Sequence, residues 1–181
     1  MLSPPPLLHV QLALSSELQP LFHAQQLVSD FLIPRTIDGA VYNELLRLKE
    51  AYGAFRPWTV GAMDGAATRG RLDIMQKLHS TRAEGCSSRA FVGAAANGHL
   101  EVLWWLNEFN ASLARPAEMV QSAARNGHAR VVKFLWGRLT IDELEAALEA
   151  ATLNGHAPVV EILRSRVDYL TTASEETSAN G

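Results

Sequence analysis

The stretch AAANGHLEVLWWL, residues 94–106, decides the fold of this chain. Small side chains lead into a glycine, and apolar residues at helical spacing follow it at once. The same signal returns as AATRG at 66–70, AARNG at 123–127 and ATLNG at 151–155. Its glycines, Gly70, Gly98, Gly127 and Gly155, fall 28, 29 and 28 residues apart. A fixed period in this range marks an array of stacked units.

Each unit reads as two helices joined by a tight reversal. Glycine takes the left-handed conformation that stops a helix at little cost. After it come RLDIMQKL, HLEVLWWL, HARVVKFL and HAPVVEIL. The fourth residue after each glycine is Ile74, Val102, Val131 and Val159, and the fifth is Met75, Leu103, Val132 and Val160. The eighth is Leu78, Leu106, Leu135 and Leu163. These residues share one helical face and predict a continuous core. Seven residues before each glycine, Met63, Phe91, Val120 and Leu148 bring the first helix into that core. The paired alanines before the glycine let the helices approach closely; Thr152 replaces the second of them in the last unit. Thr140 to Glu143 fits a capping box, and Pro116 suits a first helical turn.

The expected fold is all-α: a helix-turn-helix repeat solenoid with short connectors behind a helical N-terminal cap. Residues 1–16 form a flexible lead and 17–57 the cap, with helices over 17–33 and 37–51 broken at Pro34 and near Gly39. Residues 58–170 carry four units at 58–83, 84–111, 112–138 and 139–170, and 171–181 read as a disordered, frayed tail.

The quoted residues resemble the second half of the ankyrin repeat, A-A-x-x-G-H-L-E-V-V-K-x-L, over about residues 58–168. HLEVLWWL after AAANG matches it best. The family's T-P-L-H start is missing: its place reads AMD (62–64), AFV (90–92), MVQ (119–121) and ALE (147–149). The period is also short of the family's 33 or so residues. The resemblance therefore implies repeats whose β-hairpin finger is cut back to a turn. Arg71 stands where the family prefers His, and Pro158 enters the last second helix. From the family's concave face, the resemblance implies partner contacts at Asp64, Arg69, Asn97, Gln121, Arg125 and Asn154.

The residues themselves point to a second surface. Six residues after each glycine stand Gln76, Trp104, Lys133 and Glu161; nine after stand His79, Asn107, Trp136 and Arg164. These columns are mostly polar and read as outward. Trp104 and Trp136 then sit side by side as anchors, or are covered by another segment. Charge is segregated as well. Residues 112–138 carry Arg115, Arg125, Arg130, Lys133 and Arg138 against Glu118. Residues 139–170 carry six carboxylates against Arg164 and Arg166. The split either steers an acidic partner or lets neighbouring units compensate each other.

Other chemistry is weighed and set aside. His99, His128 and His156 follow three of the glycines, and helices packed about 8–10 Å apart keep them from sharing a metal. Each imidazole is expected to hydrogen-bond locally, near its own reversal. Cys86 has no nameable base beside it. Asp142, Glu143, Glu145 and Glu149 read as a solvated helix start that suits the helix dipole. Neither a phosphate loop nor a nucleophile elbow is present in the sequence. The expectation is a non-enzymatic protein-interaction module, monomeric, with another protein as partner and no cofactor or metal. The alternatives are a self-assembling fragment of a longer array and an enzyme with an unrecognised site. The net charge of −3 disfavours nucleic acid. No apolar run suits a membrane helix. A single cysteine fits the cytoplasm or nucleus, leaving secretion open.

Overall fold

The computed structural model describes residues 36–43 and 57–179. The chain divides into two compact bodies, residues 1–62 and 63–181. Helices are the regular elements of the described residues, with no strand among them. The lead 1–16, the helix predicted over 17–33 and most of that over 37–51 lie outside the described residues.

In the first body, helix α1 spans Asp38–Tyr42, with Gly39 inside it rather than before it. Asp38 is buried and accepts from the Thr59 backbone N–H at 3.0 Å and from its hydroxyl. Thr59 in turn accepts from Gly61 N–H at 3.0 Å.

From residue 61 the helices come in pairs: α2 (Gly61–Thr68) and α3 (Leu72–Thr81), then α4 (Ser88–Ala96) and α5 (Leu100–Asn110). Next are α6 (Pro116–Arg125) and α7 (Ala129–Leu135), then α8 (Ile141–Leu153) and α9 (Ala157–Ala179). The reversals form as glycine chemistry requires. Gly70, Gly98, Gly127 and Gly155 have φ of 71°, 75°, 79° and 73°. At each, the residue after the glycine bonds the carbonyl of the first small residue: Arg71 to Ala66, His99 to Ala94, His128 to Ala123 and His156 to Ala151, at 2.9–3.0 Å. The glycine N–H bonds the next carbonyl at 3.1–3.2 Å. This is the Schellman pattern, and it satisfies carbonyls that the helix end leaves open.

Among the first helices, α4 packs on α6 and α6 on α8; α5, α7 and α9 pack on their own partners, and α7 also on α9. The expected core columns are buried in the middle pairs: Phe91, Val102, Leu103, Leu106, Val120, Val131, Val132 and Leu135 are at most 2% exposed. The alanines at 66, 67, 94, 95, 123, 124 and 151 are fully buried. The columns weaken at the last pair, where Leu148 and Val160 are half-buried and Thr152 is exposed. Among the described residues no helix packs beyond that pair, so a polar side chain there costs little.

Start signals act as the sequence predicts. Thr140 and Glu143 form the reciprocal capping box at 2.9 and 3.3 Å, and Pro116 opens α6. Pro158 sits in the first turn of α9, where its missing N–H has no helical acceptor to satisfy. One expectation fails. The tail predicted to fray from residue 171 continues α9 to Ala179. An anchored helix propagates without a new nucleation cost, and TTASEETSA holds neither Gly nor Pro. Thr171 and Thr172 hydroxyls also bond back to Val167 and Asp168 carbonyls at 3.1 Å.

Candidate partner-binding surface

Three inter-pair contacts frame the surface. The first lies at the glycines. A Cβ on Gly70 would meet the His99 ring at 2.6 Å, one on Gly98 the His128 ring at 2.6 Å, and one on Gly127 the His156 ring at 2.7 Å. Each imidazole therefore roofs the hinge of the preceding pair. His128 Nε2 bonds Ala96 O at 2.9 Å and His156 Nε2 bonds Arg125 O at 2.8 Å. A carbonyl can only accept, so Nε2 carries the proton in both. The local bonding expected from sequence is corrected: these bonds cross between pairs, because the helix pairs stack close enough to bring each ring over a neighbour's hinge. Asn126 reaches the same Ala96 carbonyl at 2.8 Å.

A second set of contacts runs along the far ends of α3, α5, α7 and α9. His79 meets Phe109 with centroids 5.0 Å apart, and Trp105 lies 5.2 Å from His79 and 4.9 Å from Phe109. Arg138 Nη1 donates to Asn107 Oδ1 at 2.8 Å. The Arg166 guanidinium lies 5.7 Å over the Trp136 ring and 5.5 Å over that of Tyr169. In each case the residue nine places after one glycine meets the residue eleven places after the next. Sequence reasoning looked at the sixth and ninth places and missed the eleventh. The signal was available, since Phe109, Arg138 and Arg166 are large and share that place.

The third contact anchors a connector. Asp64 is 9% exposed and accepts from Ser87 N–H at 2.8 Å and from the Ser87 hydroxyl. Ser87 then caps α4 by accepting from Arg89 N–H at 3.2 Å. The arrangement repeats the Asp38–Thr59 pairing of the first body. Asp64 is thereby corrected from a partner contact to a buried anchor, its oxygens taken by the capping residue of the next helix.

The remaining expected residues divide by what their side chains do. Trp104 is 55% exposed on α5. Lys133, Gln121 and Arg125 are exposed, as is Arg69 at the end of α2. Asn97 and Asn154 are exposed, yet their amides bond back to Gly93 O at 2.9 Å and Ala150 O at 2.7 Å. Those bonds cap their own helix ends. Trp136 is half-buried, and its ring meets Arg166 rather than Trp104. The two tryptophans therefore do not form the side-by-side pair that the column pattern predicts, because Trp136 sits in the 136–138 turn and faces the next pair. Their single variants separate cleanly. Trp104→Lys is expected to change unfolding free energy by less than about 0.5 kcal/mol, as exposed sites do. Trp136→Lys loses the cation–π contact and sets a second cation beside Arg166, for about 1–2 kcal/mol. Urea unfolding of both variants checks this; equal losses refute the distinction.

No group of three or more potential metal ligands occurs among the described residues. Cys86 is 9% exposed, and burial first, then the Asp64 charge, pushes its thiol up to about 11. Its thiolate is scarce near neutrality, so it lacks the poise of a nucleophile. Glu143 is held in the capping box, while Asp142, Glu145 and Glu149 are exposed along α8. No helix among the described residues is long and apolar enough to cross a membrane. Among known proteins, no family model matches this chain and no curated sequence matches it.

Proposed function

We propose that this chain is a non-enzymatic protein-binding module, a short solenoid of four ankyrin-like units whose outward side chains select the partner. The evenly spaced hinges, the imidazole roofs over three of them and the serial packing of α4, α6 and α8 support the array. One observation carries the binding role. Trp104, a large aromatic side chain, is 55% exposed, while the other tryptophans of the middle pairs, Trp105 and Trp136, are half-buried in contacts with a neighbouring pair. Exposed tryptophan is a frequent interface anchor. Affinity capture with wild-type protein and with Trp104→Lys tests the role. At least a tenfold loss of a captured partner is expected, with unchanged circular dichroism; undiminished capture removes Trp104 from the site.

A self-assembling array is the second reading, and the open end of the last pair favours it. A Cβ on Gly155 would meet nothing within 4 Å, and Leu153 is 78% exposed. Thr152, Gly155, Val160 and Arg164 border an open groove of about 470 Å³ there. Sedimentation across concentration distinguishes the readings: a monomer at high concentration rules out self-stacking.

A further inference from the structure

The cations of the third unit are neither buried nor neutralised. Arg130, Lys133 and Arg138 are all exposed, on the stretch whose buried residues are Val131, Val132 and Leu135. Arg130 and Lys133, three places apart, share the outward face of α7, while Arg138 lies in the turn that follows and reaches Asn107. None is ion-paired with a described residue; the ion pairs among the described residues join Arg71 to Asp73 and Arg82 to Glu84. Compensation between the third and fourth units, one reading of the charge split, is therefore not made by close pairs.

These cations belong to the second helix of the pair that follows Trp104 and to the turn after it. At one end Arg130 shares a cavity of about 200 Å³ with Glu101 and Val102 of α5. At the other, Arg138 holds Asn107 of α5. Contacts at both ends set α7 and its turn alongside α5. Trp104 and Lys133 stand six places after their respective glycines, and both are exposed. Glu101 and Glu108 are also exposed, three places before and four after Trp104 on α5, and Glu101 lines the cavity with Arg130, so the cationic side of this surface is the α7 side. The result is an apolar anchor with two carboxylates on its own helix and, on the α7 side, cations that make no close ion pair with a described residue.

We infer that this surface docks an acidic segment of a partner protein, with a large apolar side chain on Trp104 and carboxylates on Arg130, Lys133 and Arg138. The inference rests on the binding role proposed above and names the partner's chemistry. Opposite charge steers encounter and rejects basic competitors, and such steering weakens as salt screens it.

Selection from a displayed library of random dodecapeptides against the whole protein tests it. Enriched sequences are expected to be net negative and to carry a large apolar residue. They should lose at least tenfold in affinity for the R130E/K133E variant and weaken on passing from low to high salt. Circular dichroism checks that the variant remains folded, as exposed substitutions should. Enrichment of neutral or basic sequences, or equal affinity for the variant, overturns the acidic assignment while leaving protein binding intact. Tighter binding of a single-stranded dodecanucleotide overturns it in favour of a nucleic-acid surface. Salt-sensitive self-association abolished by the same variant assigns the surface to a second copy of this chain. A library with no enriched sequence removes the binding role as well.

Discussion

Gly127→Ala is expected to destabilise the fold by about 3–6 kcal/mol, while Gly155→Ala costs only about 1–2. Both glycines have the same left-handed backbone, with φ of 79° and 73°. A Cβ is disfavoured there by about 1–2 kcal/mol whatever surrounds it. The surroundings then differ. At Gly127 the new carbon falls 2.7 Å from Nδ1 of His156 and 3.0 Å from Cε1. That ring cannot swing away freely, because its Nε2 proton is held by the Arg125 carbonyl at 2.8 Å. Moving it forfeits about 1 kcal/mol of hydrogen bond and adds an overpacking cost of about 1–3. At Gly155 the carbon meets nothing within 4 Å. Urea unfolding of the two variants, with Gly98→Ala as a second roofed hinge, measures the gap. Equal losses at Gly127 and Gly155 refute the roofing role of the histidines.

Phe91→Ala carries a comparable effect through packing alone. Phe91 is 1% exposed, in the middle of α4. Truncating a buried phenylalanine typically costs about 3–5 kcal/mol, part of it transfer and part the cavity left behind. That approaches the whole stability of a small domain, about 5–15 kcal/mol. Where stability is a sum of unit and neighbour terms, loss at the second unit uncouples what lies on either side. Two separated unfolding steps, or loss of folding at ambient temperature, are expected by calorimetry and circular dichroism. A change below about 1 kcal/mol, the ordinary exposed-site range, refutes the core assignment.

These two predictions also show where the sequence is legible. Phe91 is readable from spacing, because a helical face repeats every 3.6 residues and burial follows the stripe. The hinge at Gly127 is readable too, since the left-handed conformation is a local property of one residue. The histidine above it is not. Spacing places His156 next to Gly155, while its ring serves Gly127 and the Arg125 carbonyl. The same offset governs the outer columns. Trp136 reads as a free aromatic in a polar column, and becomes half-buried once Arg166 of the next unit covers it. Asp64 reads as a polar surface group, and becomes an anchor once Ser87, 23 residues on, reaches its carboxylate.

The sequence by itself determined the paired helices between residues 61 and 170, their reversals, the capping box at Thr140 and the residues that fill the middle core. Each of these follows from propensity and periodicity within about one helical turn or two. The tertiary structure alone decided which outward residues stay outward. Trp104, Lys133 and Arg130 remain exposed, while Asp64 and Trp136 are drawn into contacts with the following unit. The reason is distance along the chain: those contacts join residues 23 and 30 places apart, and what brings them together is the packing of one helix pair on the next and not any one segment.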